Sequence, residues 1–83
     1  MILGIDLGKK TSGLATSDSQ LATPYATITH KSSQVALNKI VKICDQLKVD
    51  IVVIGYVEGK IKTLFENFAK KLKKQKPDLK IVM

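Results

Sequence analysis

Asp6 stands inside the apolar run Ile2-Leu3-Gly4-Ile5-Asp6-Leu7, and Gly8, Lys9 and Lys10 follow it directly. A carboxylate at the carboxyl end of a strand lies where open α/β sheets place their ligands, in the crevice outside the strand ends. Burying it there without a partner would be costly. It therefore calls for hydrogen bonds, a lysine, or a hard cation such as Mg²⁺, which takes one or two carboxylates and keeps several waters. The plainer role is a bond to backbone amides of the following turn, common for an Asp two residues before a Gly. The residues alone leave both roles open. Glu58 follows a second apolar run, residues 51–55, and so reaches the same sheet edge as Asp6. It is either a second metal-binding acid or an acid favoured by the dipole in the first turn of a helix. Asp18 closes an antiparallel return strand, which puts it at the opposite edge as a turn residue. His30 reads as a loop residue, and Cys44, in the apolar phase of a helical pattern, as a core thiol.

The elements that must carry these groups follow from periodicity. Met1 to Leu7 reads as a buried strand, Gly8 to Ser12 as a turn, and Leu14 to Ser17 as a second strand. A third runs from Leu21 to Thr29, an edge strand because Pro24 cannot donate to a ladder. Ser32 or Ser33 can cap a helix in which Val35, Leu37, Ile40, Val41, Cys44 and Leu47 recur at helical spacing, up to about Lys48. The β-branched run Ile51-Val52-Val53-Ile54, ending at Gly55, reads as a central strand covered on both sides. Ile61, Leu64, Phe65, Phe68 and Leu72 predict a second amphipathic helix, beginning near Glu58 to Lys60 and ending near Lys74. Its other face carries Lys62, Lys70, Lys71, Lys73 and Lys74. Pro77 and Asp78 break it, and Leu79 to Met83 starts a last strand. The order β-β-β-α-β-α-β is an α/β pattern with a mixed sheet in one domain, residues 1–83, without repeats or a linker.

Fourteen basic residues, all lysine, against seven acidic ones give a net charge of +7. That surplus suits a polyanion, because each neutralised phosphate releases counterions; equally, lysines on solvated helix faces keep a small protein soluble. Lysine offers point charges and no bidentate fork, so nucleic acid would be held by shape and backbone and not by sequence readout. A hydrophobic fraction of 45% argues against disorder. One cysteine excludes an internal disulfide framework, and no apolar run approaches the roughly 18 residues of a membrane span. The expectation is a cytoplasmic location.

Asp6, Gly8, Lys10, Gly13, Ala15, Ser17 and Asp18 match, without insertion, the pattern D-x-G-x-K-R-x-G-x-A-x-S-D. With this opening the chain resembles the YqgF family of RuvX-like Holliday junction resolvases, also described as pre-16S rRNA nucleases. Ala22, Pro24 and Ile28 resemble that family's third strand, and "VDIVVIG" its fourth. The resemblance implies a ribonuclease H-like fold and hydrolysis of nucleic-acid phosphodiesters with Mg²⁺ or Mn²⁺. Asp6 would be the first catalytic, metal-binding acid and Glu58 a second, with Lys9, Lys10, Lys70, Lys71, Lys73 and Lys74 binding structured RNA or branched DNA. "GIDLG" also resembles the first phosphate loop of the actin and Hsp70-like ATPases, but those need two such domains and a much longer chain.

The sequence departs from the family pattern in places. Thr11 stands where the family has arginine, and Tyr56 and Val57 replace a Leu-Pro pair. In the family, the strand matching 79–83 leads into Asp-Glu-Arg, which supplies a second acid, and a later helix supplies a third; this sequence stops at Met83, before either. The fold is therefore expected to be truncated at its C-terminus. The chain is a fragment, a short relative that lost catalysis, or one that recruits other acids. Metal-assisted hydrolysis holds ions about 3.5–4 Å apart with several carboxylates, which Asp6 alone cannot do. The reading from another class is a non-catalytic nucleic-acid-binding or self-associating module, whose final strand leaves an edge free to pair with a second copy.

Overall fold

A computed structural model describes residues 1–8, 10–18, 23–29, 31–55 and 62–82, with only the backbone at Ser33, Lys62, Leu64 and Phe65. The described elements are β1 (Ile2–Leu7), β2 (Thr11–Ser17), β3 (Thr23–Thr29), α1 (Ser33–Leu47), β4 (Ile51–Gly55), α2 (Lys62–Gln75) and β5 (Lys80–Val82). They build a five-stranded mixed sheet in the order β3-β2-β1-β4-β5. β1 lies antiparallel to β2 and parallel to β4, β2 antiparallel to β3, and β4 parallel to β5. This is the expected arrangement of hairpins followed by helical crossovers, with β4 inside the sheet and Pro24 on an edge strand.

β2 begins at Thr11, earlier than the sequence suggests, because Ser12 pairs with Leu7 and is buried. The connection from β1 to β2 is therefore shorter than the expected turn of Gly8 to Ser12. Gly8 is required there: a Cβ on it would lie 2.4 Å from the Thr11 carbonyl oxygen. α1 starts after the cap Ser32, whose Oγ accepts from the Val35 amide at 3.3 Å. It ends at Lys48 in the left-handed region, φ 55°. α2 is described from Lys62; the start expected at Glu58 to Lys60 and the apolar Ile61 lie outside the described residues.

Both helices cover the same face of the sheet. β3, β1, β4 and β5 all point one way, and the two crossovers, β3–α1–β4 and β4–α2–β5, both move toward the β5 edge. Right-handed crossovers in one direction place their helices on one side. There Leu3, Ile5 and Leu7 of β1, Leu14 of β2, and Val52 and Ile54 of β4 pack against Leu37, Ile40 and Cys44 of α1 and Phe68 and Leu72 of α2. The reading of β4 as covered on both sides is corrected: Val53 is 42% exposed, because no described element lies on the other face. Val35, counted with the apolar face of α1, is likewise 37% exposed at the first turn.

Hydrogen bonds tie together the strand starts at the end of the sheet away from Asp6. The Met1 amine reaches Asp50 Oδ1 at 3.0 Å, the Asp50 amide donates to the Met1 carbonyl, and the Lys80 amide donates to the Asp50 carbonyl. The opposite end, where β1 and β4 finish, β2 begins and α1 starts, carries the candidate site.

Candidate nucleic-acid interface

Alternation along β1 sends Leu3, Ile5 and Leu7 into the core and Gly4 and Asp6 to the uncovered face. Asp6 is exposed, so its charge stays hydrated and needs no buried partner, unlike the buried acid expected from the sequence. Its strand neighbours are Gly13 on β2 and Gly55 on β4, and Gly13 in turn faces Thr27 on β3. Bare backbone thus flanks the carboxylate on both sides. An open trough of about 770 Å³ runs over this row, bordered by Gly4, Asp6, Gly13, Tyr25, Val53 and Gly55 among others. Tyr25, 45% exposed, sits where the β2–β3 register shifts, with Ala15 opposite Pro24 and Leu14 opposite Ala26.

Packing does not demand glycine beside Asp6. A Cβ on Gly13 would meet the Asp6 Cβ at 3.9 Å, and one on Gly55 the Ile5 carbonyl at 3.9 Å, both ordinary contacts. Neither glycine has positive φ. The sequence matched both positions to a pattern; the structure adds that they keep the flanks of the carboxylate low.

For a divalent metal, the described residues supply one carboxylate at this place. No group of three or more His, Cys, Asp or Glu that could hold a metal occurs among them. A two-ion centre of several carboxylates does not fit this set. Glu58 and His30 lie outside the described residues, as does Lys9. Asp18 follows Ser17, which pairs with Ile2 at the start of β1, so it lies at the far end of the sheet, as expected.

Two groups of lysines stand apart among the described residues. Lys70, Lys71, Lys73 and Lys74 are exposed on the C-terminal half of α2. That half leads to Lys80, which pairs with Ile51 at the start of β4, so its end lies about 13 Å along the strands from the Asp6 row. Lys73 is also engaged, its Nζ donating to the Leu79 carbonyl at 2.6 Å. The structure therefore does not bring these four together with Asp6. It gathers a different set: Lys10, Lys31 and Lys39 border a pocket with Thr29 and Val35, at the same end of the sheet as Asp6. Lys31 and Lys39 escaped the sequence reading because they are separated in the chain, and only the pairing of Thr11 with Thr29 brings Lys10 to them.

Cys44 is 2% exposed in the core. Burial pushes its thiol up to about 11, so it stays protonated and inert, as its helical phase suggested.

A β-β-β-α-β-α-β chain with this strand order, and an acid near the end of its central strand, has the ribonuclease H-like fold. The chain belongs to the RuvX family, described as Holliday junction resolvase, whose model matches residues 1–83. The resemblance drawn from the opening motif is thereby borne out. Among curated relatives, proteins named "Putative pre-16S rRNA nuclease" from Clostridium botulinum strains Eklund 17B, Alaska E43 and Hall are each 45% identical to it over 56 residues. The matched stretch is 65% of this chain and 41% of each relative, so it spans less than half of their length.

Proposed function

We propose that this chain provides the first acid and the strand-binding surface of a metal-dependent nuclease that hydrolyses phosphodiester bonds in structured RNA, such as a 16S rRNA precursor, or in branched DNA. Membership of a resolvase family supports a nucleic-acid substrate, and divalent-metal dependence accompanies that family's hydrolysis; Mg²⁺ or Mn²⁺ is the finer assignment. The observation that carries the reading is Asp6 itself, exposed at the motif position on the uncovered face, with bare backbone on either side. In this reading residues 1–83 act as one domain in the cytoplasm, and Glu58 is the second acid. Among the described residues no helix is long and apolar enough to cross a membrane. The short edge strand β5 also offers its free side to a second copy, and sedimentation of a strict monomer at high concentration would remove that part.

Together with further acids, Asp6 would be one ligand of a divalent cation, which would supply Lewis-acid activation of a phosphodiester. Loss of an outer-shell partner typically costs about 10–100-fold in metal affinity or activity, so loss of a ligand should cost no less. Cleavage of an RNA hairpin with single-stranded flanks, and of a four-way DNA junction, is compared for wild type and Asp6→Asn with Mg²⁺ and with Mn²⁺. With the family's further acids restored after Met83 in both proteins, the expected result is metal-dependent cleavage that Asp6→Asn lowers at least about 100-fold. Cleavage that survives Asp6→Asn unchanged would remove the assignment.

A further inference from the structure

We propose that Lys10, Lys31 and Lys39 form a separate phosphate seat that grips the nucleic-acid backbone flanking the position at Asp6. This deepens the nuclease reading and rests on it. Three lysines from a turn, a loop and a helix border one pocket of about 570 Å³, and no acid is among the described residues that border it. Nor does α1 carry an acid in its first turn. Like charges held together repel one another, and an arrangement of this kind retains anions from solution that a phosphate backbone can displace.

The seat is partly preorganised. Lys39 Nζ donates to the Thr29 carbonyl at 2.8 Å, which fixes one ammonium at the end of β3. An ammonium has three donors, so two remain for an anion. Lys31 makes no hydrogen bond or ion pair with another described residue. Lysine recognises phosphate as a point charge, so the ligand is the sugar-phosphate backbone of either nucleic acid and not a base sequence.

Placement connects the pocket to Asp6. Asp6 pairs with Gly13 and Thr11 lies two residues nearer the turn, so the base of Lys10 stands roughly 10 Å from Asp6 around the end of the sheet. A strand with one phosphate at Asp6 runs over that end toward the pocket. The α2 lysines, at the other end, are not on this path.

The test measures anisotropy of a labelled RNA hairpin with single-stranded flanks, and of a labelled four-way DNA junction, against KCl concentration. Wild type is compared with Lys31→Gln/Lys39→Gln, with Lys31→Gln alone, and with Lys71→Gln/Lys74→Gln. Each lost phosphate contact lowers the slope of log K against log salt by about 0.7–0.9. The double variant should therefore lose about 1.4–1.8 of slope and Lys31→Gln about half of that, while the α2 pair changes the slope by less than either. Melting by circular dichroism checks the fold of the double variant, in which Lys39→Gln loses the bond to Thr29; Lys31→Gln loses no such bond and carries the test by itself. An unchanged slope in both Lys31 variants, or an equal loss from the α2 pair, overturns the seat. If that happens while Asp6→Asn still abolishes cleavage, the nuclease reading stands without it. If wild type binds neither probe at low salt, both readings fall.

Discussion

Gly8, two residues after Asp6, and Gly13, opposite Asp6 on β2, should answer the same substitution in opposite ways. An alanine at Gly8 places its Cβ 2.4 Å from the Thr11 carbonyl oxygen, a backbone atom that cannot swing aside. The turn must open, at a cost of about 1–3 kcal/mol by analogy with overpacked sites. An alanine at Gly13 meets the Asp6 Cβ at 3.9 Å and fits, and the strand gains from a less flexible unfolded chain, by about 0.4–1 kcal/mol. Urea melts should show Gly8→Ala destabilised and Gly13→Ala neutral to stabilised. Comparable losses in both would contradict the pairing of Asp6 with Gly13. If Gly13→Ala folds well but cleaves poorly, the glycine serves access to Asp6 and not packing.

At the scale of the element, α1 carries two terminal devices of opposite sign. Ser32 satisfies the Val35 amide, so Ser32→Ala should cost about 1 kcal/mol. Lys48 occupies a left-handed C-terminal position, φ 55°, that costs an ordinary L-residue about 1–2 kcal/mol. Lys48→Gly relieves this, and thermal melts should place it above wild type by about 1 kcal/mol, with Ser32→Ala below. Such local features were legible in the sequence: the cap, the helical phase of Leu37, Ile40 and Cys44, the edge role of Pro24, and Asp6 as the residue of interest. What escaped were consequences of long-range pairing. The run at Val53 is apolar in either environment, and only the common direction of the two crossovers leaves that face uncovered. The α2 lysines drew attention because they are adjacent in sequence, yet the helix delivers them to the end of the sheet away from Asp6. Lys31 and Lys39 are unremarkable in sequence and become neighbours of Lys10 only through the β2–β3 ladder.

For the molecule as a whole, these groups shape the dependence of stability on pH. A domain of this size is stable by about 4–12 kcal/mol, so one shifted core group is a large fraction of the total. Cys44 has its thiol pushed from 9.0 to about 11 by burial. Between those values the unfolded chain releases the proton and the folded chain keeps it, so the unfolded state binds fewer protons and stability falls as pH rises. Two pH units at about 1.36 kcal/mol each give a loss of about 2–3 kcal/mol, complete once pH exceeds 11. Lys76 works in the same direction: its hydrogen bond to Asp45 raises its pKa, and that stabilisation is present below the ordinary lysine range and lost above it. Asp50 acts at the acid end, where the Met1 amine lowers its pKa; its contribution is present above the ordinary carboxylate value of 3.8 and disappears as pH falls through the depressed one. Urea melts from pH 7 to pH 11 should show a plateau to about pH 9 and then a decline. Cys44→Ala should lower the plateau by leaving a small void, yet flatten most of the decline. An alkaline limb that persists in full in Cys44→Ala would show that the core thiol is not its source and leave Lys76 as the group to substitute next.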